Sequence, residues 1–182
     1  MKSALSLLVC LAGTGLGLSA RAATPQEVET AFGRAVTYYC ANAIDSDVAV
    51  DQLKPDSVVS LVPITGDDMK ATLKLGPSDK AWYASPGIGV VTVVQRPGEC
   101  LVSASGVRAA DTLDRAVGTI LQSTLNMSPQ PLRSETGAVT RQYVLANPPG
   151  PMVINLTGRD DPALKAPYHG QVAAVVRRLG PS

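Results

Sequence analysis

Few residues in this chain could carry out chemistry, and His169 comes first because it is the only histidine. A Ser-His-Asp or Cys-His mechanism would have to use it. His169 lies between Tyr168 and Gly170 in a segment with loop composition, and the chain has no Gly-x-Ser-x-Gly nucleophile motif. A lone histidine beside glycine is more typical of a surface loop than of a catalytic centre, and one histidine cannot supply a multi-histidine zinc site.

Adjacent carboxylates offer a second kind of chemistry. Paired acidic residues can hydrolyse glycosidic bonds, and the candidates are Asp67 with Asp68 and Asp160 with Asp161. Neighbouring residues of a strand point to opposite faces, however, and both pairs occur in segments with turn and cap character. We therefore predict structural roles for these aspartates. We expect neither a metal nor a cofactor.

Two cysteines, Cys40 and Cys100, remain once an N-terminal export segment that contains Cys10 is removed. A pair of cysteines in an exported protein most simply forms one disulfide. Their spacing is not that of a Cys-x-x-Cys redox or metal motif. Closing a loop of this length stabilises a fold by about 4 kcal/mol in the chain-entropy model. We expect a structural cross-link between the first helix and a central strand.

The export segment covers residues 1–22. Lys2 provides a positive start, an apolar stretch interrupted by glycines follows, and Ala20-Arg21-Ala22 has the small-x-small pattern of a cleavage site. The apolar stretch is shorter than the ~20 residues of a membrane-spanning helix. We therefore predict a signal peptide that is cleaved between Ala22 and Ala23, leaving no transmembrane segment after processing.

Residues 23–182 have the length and composition of one domain. The hydrophobic fraction of the whole chain is 45%, which is that of an ordinary globular core. Without Lys2 and Arg21, 14 basic side chains face 15 acidic ones. This near-neutral balance, with aromatic residues at 4%, gives no reason to expect nucleic acid as a partner.

The best-defined elements position the two cysteines. Thr24, Pro25 and Glu27 form a helix start with a capping box, and an apolar stripe then predicts a helix that ends near Cys40. Ile88 to Gln95 and Cys100 to Ala104 predict a hairpin around the turn Arg96-Pro97-Gly98-Glu99, in which glycine supplies a positive φ.

A second helix is predicted from Asp111 to Leu125, with Asp111 as its cap. Trp82, the only tryptophan, lies in a predicted strand; we expect it to anchor the core, with stacking on a ligand as the alternative. The remaining expected strands are 58–63, 69–75, 140–146, 152–157 and 171–177.

The order helix, strands, helix, strands predicts an α+β fold. Two helices should pack on one face of a mostly antiparallel sheet, giving a two-layer sandwich with one disulfide. We expect an exported protein, periplasmic or secreted, whose Ala-, Arg- and Val-rich, Lys-poor composition is typical of bacteria. The leading hypothesis is a non-catalytic binding or interaction module with a protein or small-molecule partner in the cell envelope. The alternative is a small hydrolase with a site built from acidic residues and His169.

Overall fold

A computed structural model describes residues 22–85, 90–130, 138–146, 151–160 and 170–180. Several sequence predictions fall outside these ranges. They are the signal peptide up to residue 21, the first two residues of the strand predicted at 88–95, Asp161 and His169. Within the described residues, no helix is both long enough and apolar enough to cross a membrane.

Eight strands of the described chain form one antiparallel sheet. The first four occupy one half and the last four the other half in mirrored order, β1-β2-β3-β4-β8-β7-β6-β5, so that β4 and β8 pair at the centre. A helix precedes each set of four strands, so the two halves of the chain repeat one topology. The strands are β1 Ser60–Pro63, β2 Lys80–Ser85, β3 Val91–Arg96, β4 Glu99–Val107, β5 Ser128–Gln130, β6 Ala138–Leu145, β7 Met152–Asp160 and β8 Gly170–Arg178.

The predicted central hairpin is confirmed as β3 and β4. Arg96 pairs with Glu99 at its tip, and Gly98 has a φ of 72°, which only glycine adopts readily. Val91 and Val93 are buried beneath the helices, whereas Val94 is buried on the opposite face. The uneven valine pattern thus reflects a strand that is covered, in part, on both sides.

Two long helices lie on one face of the sheet, as predicted. The first, α1, runs without interruption through an α-helical segment Pro25–Arg34, a π-helical segment Ala35–Cys40 and an α-helical segment Ala41–Ser46. The second, α3, is built in the same way from Ala109–Asp111, Thr112–Gly118 and Thr119–Ser123. The two cross closely at Gly33, where a Cβ atom would overlap the carbonyl of Ala116.

The start of α1 follows the sequence prediction. The Thr24 hydroxyl accepts a hydrogen bond from the backbone N–H of Glu27, and the Glu27 carboxylate accepts one from the N–H of Thr24. The predicted end near Cys40 is wrong, because the helix continues to Ser46. It ends where Asp47 adopts a left-handed conformation, with a φ of 51°.

The start of α3 differs from the prediction. Asp111 lies in the first turn rather than at the cap, which is Arg108. The cap function comes from a distant residue, because Asp160 at the end of β7 accepts a hydrogen bond of 2.8 Å from the backbone N–H of Ala109. The spacing of residues around the helix start does not reveal a capping residue that belongs to a distant strand.

The strand predicted at 69–75 is wrong, because this segment forms the short helix α2, Asp67–Thr72. Asp67 and Asp68 occupy its first turn, where negative charge is favourable. Leu73 and Leu75 follow the helix and pack against Ile64, Ala81 and Val94. This small cluster lies on the face of the sheet opposite to α1 and α3.

The predicted disulfide joins α1 to the central strand β4. Cys40 and Cys100 are fully buried, and their Cα atoms lie 5.4 Å apart. Cys100 pairs with Gln95 of β3 and with Val176 of β8, so the cross-link meets the sheet at its middle. One covalent bond therefore ties the helical layer to the strand that connects the two halves of the sheet.

We predict that the double substitution Cys40→Ala, Cys100→Ala lowers the free energy of unfolding by about 4 kcal/mol, because the 60-residue separation leaves the unfolded chain much freer. Urea unfolding of the protein without residues 1–22 measures the change. Reductant should destabilise the wild type by a similar amount and leave the double variant unchanged. A loss below about 1 kcal/mol would contradict this role.

Candidate functional site

The two faces of the sheet differ sharply in chemistry. Side chains under α1 and α3 are apolar and buried, as at Val102, Ala174 and Leu156. Successive residues of a strand alternate between faces. Their neighbours therefore point the other way, where α2 covers only the β1 to β4 side. We call this second surface the open face.

A groove of about 790 Å³ runs along the open face. Its floor is made of small side chains on β3, β4 and β8, at Thr92, Ser103 and Ala173. These three positions are direct cross-strand neighbours: Ser103 pairs with Thr92 on one side and with Ala173 on the other. The hydroxyls of Thr92 and Ser103 lie 2.6 Å apart and share a hydrogen bond. Because these side chains are small, space remains above the sheet in which a ligand can lie.

The two walls of the groove differ in polarity. One wall contains Met69 of α2 and Leu73, which directly follows this helix, with Tyr83 of β2 beside them. Met69 is 38% exposed, so part of its apolar side chain faces solvent. The other wall, on the side of β7, contains Thr157 and Arg159, and Ser105 of β4 and Gln171 of β8 line the groove next to them. The groove thus runs between an apolar wall and a polar one.

Arg159 is the one charged side chain among the described residues that line the groove. It is exposed, and no hydrogen bond or ion pair engages it within the described parts of the chain. Arg177, on the same strand face as Gln171 but outside the groove, is equally exposed and unpaired in that part of the structure. The site therefore carries a positive charge that is available to an incoming anion.

The predicted candidates lie elsewhere or have structural partners. Trp82 is 4% exposed and lies under α1, in the core rather than in the groove. Asp67 is exposed and pairs with Lys70, while Asp160 caps α3. The described residues contain no group of three metal-ligating side chains.

The sequence prediction missed the groove. Leu101, Ser103 and Ser105 occupy alternate positions of β4 and therefore share one face of the sheet. The two serines are the signal in the sequence that this face is polar. Arg159 lies beyond the strand predicted at 152–157, but β7 continues to Asp160 and includes it. The apolar wall was missed because α2 was predicted as a strand.

A second cluster of polar groups lies on the outer side of α1. Asp56 is nearly buried, with 1% of its side chain exposed, and pairs with the guanidinium of Arg34. It also accepts hydrogen bonds of 2.8 Å from the backbone N–H groups of Val58 and Val59. The Tyr39 hydroxyl donates to the carbonyl of Val59. This cluster attaches the segment that follows α1 to the helix. Its polar groups form hydrogen bonds with one another, so it has a structural role.

Opposing effects set the pKa of Asp56. Burial alone raises the pKa of this carboxyl, but the Arg34 guanidinium and the backbone N–H groups of Val58 and Val59 outweigh burial. The net result is a pKa below the ordinary value for aspartate. Burial also raises the pKa of Tyr39, which keeps its hydroxyl protonated as a donor.

Comparison of the chain with protein-family models, with curated proteins and with solved structures finds no match. The site must therefore be interpreted from its own geometry.

We predict that the protein loses stability in acid through Asp56. A carboxyl whose pKa is lowered by folding stabilises the native state above its unfolded pKa, about 3.9, and this contribution disappears as pH falls through the folded value. Asp56→Asn should lower the free energy of unfolding at pH 7 and flatten its decline below about pH 4. Urea unfolding at several pH values measures both effects.

The matched control is Asp51→Asn. Asp51 pairs with Lys80 at 2.9 Å, but both side chains are about half exposed, so this pair should contribute little to stability. Equal acid sensitivity in Asp56→Asn and in the wild type would contradict the assignment.

Proposed function

We propose that this protein is an exported binding module that holds a ligand in the groove of the open face. The observation that carries the proposal is a groove with a floor of small side chains and one cation, Arg159, that has no side-chain partner in the described parts of the chain. A groove of about 790 Å³ is in the range of small-molecule sites, and it lies on a rigid antiparallel sheet.

Export is supported by the residues before Ala23 and by the disulfide. The Cys40–Cys100 bond fits an oxidising compartment such as the periplasm or the extracellular space. Cleavage between Ala22 and Ala23 would leave only Ala23 before the Thr24 cap of α1. The mature chain would thus begin almost at its first helix.

We place the binding module ahead of a small hydrolase for a physical reason. The Asp160 carboxylate accepts a hydrogen bond from the backbone N–H of Ala109 at the start of α3, and Asp67 pairs with Lys70 on an exposed helix turn. Catalysis by these acids would compete with the contacts that they already make. The groove, by contrast, presents groups with free hydrogen-bonding capacity toward solvent.

We predict that the protein isolated from the envelope of its own host begins at Ala23, carries the disulfide and retains a bound small molecule. Native mass spectrometry measures all three at once. Ser103→Trp should abolish the bound mass, because Ser103 lies on the floor between Thr92 and Ala173 and a large ring would fill the groove.

The matched control is Ser128→Trp. Ser128 is an exposed serine on edge strand β5 and does not line the groove. Tryptophan is tolerated in exposed strand positions, so this variant should fold and keep the ligand. Equal ligand retention by both variants, or a wild type without any ligand, would refute the binding module. A chain that retains residues 1–22 would refute export.

A further inference from the structure

We propose that the ligand is a single-chain anionic amphiphile, such as a free fatty acid, whose carboxylate binds Arg159 and whose chain lies along α2. This inference rests on the proposed function, because it uses the same groove. It adds the chemical class of the ligand and the orientation in which it binds.

The apolar wall fits a hydrocarbon chain. Met69 lies on α2, and Leu73 caps the end of this helix four residues later in a helical conformation, so both side chains lie on the same side, where they line the groove. Tyr83 and Val90 extend this surface along the groove. Methionine adapts its shape to flexible apolar ligands, and its partial exposure here leaves apolar surface that a chain would remove from water.

The opposite wall fits an anionic head group. Arg159 offers a planar guanidinium, which matches a carboxylate with two parallel hydrogen bonds. Ser105, Thr157 and Gln171 line the groove with it and add hydroxyl and amide donors. The described lining residues include no carboxylate, so nothing there competes with the ligand for Arg159 or repels its charge.

The floor leaves room for an extended chain. Thr92, Ser103 and Ala173 are neighbours across three strands, and none of them has a large side chain. A free fatty acid has one hydrocarbon chain and one negative charge, whereas a membrane phospholipid has two chains. The single chain matches the one apolar wall, and the single charge matches Arg159. We therefore expect capture of monomers from solution and not adsorption to a bilayer.

The test compares two soluble probes with the same chain and opposite charges. Isothermal titration calorimetry of the chain without residues 1–22 measures dodecanoate and dodecyltrimethylammonium, each below its micelle-forming concentration. We expect dodecanoate to bind at least about ten-fold more tightly, a difference that corresponds to one charge-assisted interaction. Arg159→Gln should weaken dodecanoate about ten-fold and leave the cationic probe unchanged or tighter.

Arg177→Gln is the matched control, because Arg177 is an exposed arginine of the same sheet face outside the groove, with no side-chain partner among the residues that the structure describes. It should leave both affinities unchanged. Met69→Ser should weaken both probes equally, since it removes apolar contact without changing charge. Circular dichroism and an intact disulfide mass confirm that each variant is folded.

Several outcomes would overturn the inference. They are equal affinity for both probes, an equal effect of Arg177→Gln and Arg159→Gln, or binding to anionic phospholipid vesicles without binding of monomeric dodecanoate. Its failure is distinguishable from that of the proposed function. If Ser103→Trp abolishes a native ligand while dodecanoate does not bind, the groove is a site for another chemical class. If Ser103→Trp leaves dodecanoate binding intact, the probe binds elsewhere and the groove assignment fails.

Discussion

The structure depends on one geometric constraint: both long helices pack on the same face of an eight-stranded sheet. An antiparallel sheet is stable with one face buried and the other in water. The helices α1 and α3 bury the first face. Among the helices of the described residues, only the short α2 lies on the second face, above the β1 to β4 half. The groove lies beside α2 on this second face.

The disulfide fixes this arrangement at its centre. Cys40 lies in the last third of α1, and Cys100 lies on β4, which bridges the two halves of the sheet through β8. Near the other end of the sheet, Asp160 links the end of β7 to the start of α3. Both ties act on the buried side. The open face can therefore carry polar and small side chains without loss of the fold.

The buried face was predictable from the sequence to a large extent. The α1 stripe, the capping box, the Pro97-Gly98 turn and the disulfide follow from local chemistry and spacing, which a sequence displays directly. The errors share a physical cause. Distant segments contact both helix ends: Arg178 of β8 donates a hydrogen bond to the carbonyl of Ile44 near the end of α1, and Asp160 of β7 caps the start of α3. Local sequence patterns do not reveal contacts between residues that are far apart in the chain.

The groove was hidden for a related reason. Ser103 and Arg159 are unremarkable in sequence, and they become neighbours of one groove only when β4, β8 and β7 pair in register. Met69 joins them through a helix that residues 69–75, taken alone, do not predict. The alternation along β4 indicates that this strand has a polar face. The sequence does not show which strands lie beside that face, and the order of strands in the sheet does.

The central claim is that the ligand occupies the open face, and amide chemical-shift mapping tests it most directly. Addition of dodecanoate to the uniformly labelled chain without residues 1–22 should shift amides of β4, β7 and β8 at Ser105, Thr157 and Gln171, together with those of α2. The amides of α1 that lie over the sheet should not move. Shifts concentrated around Trp82 and α1, or spread evenly over both faces, would contradict the account.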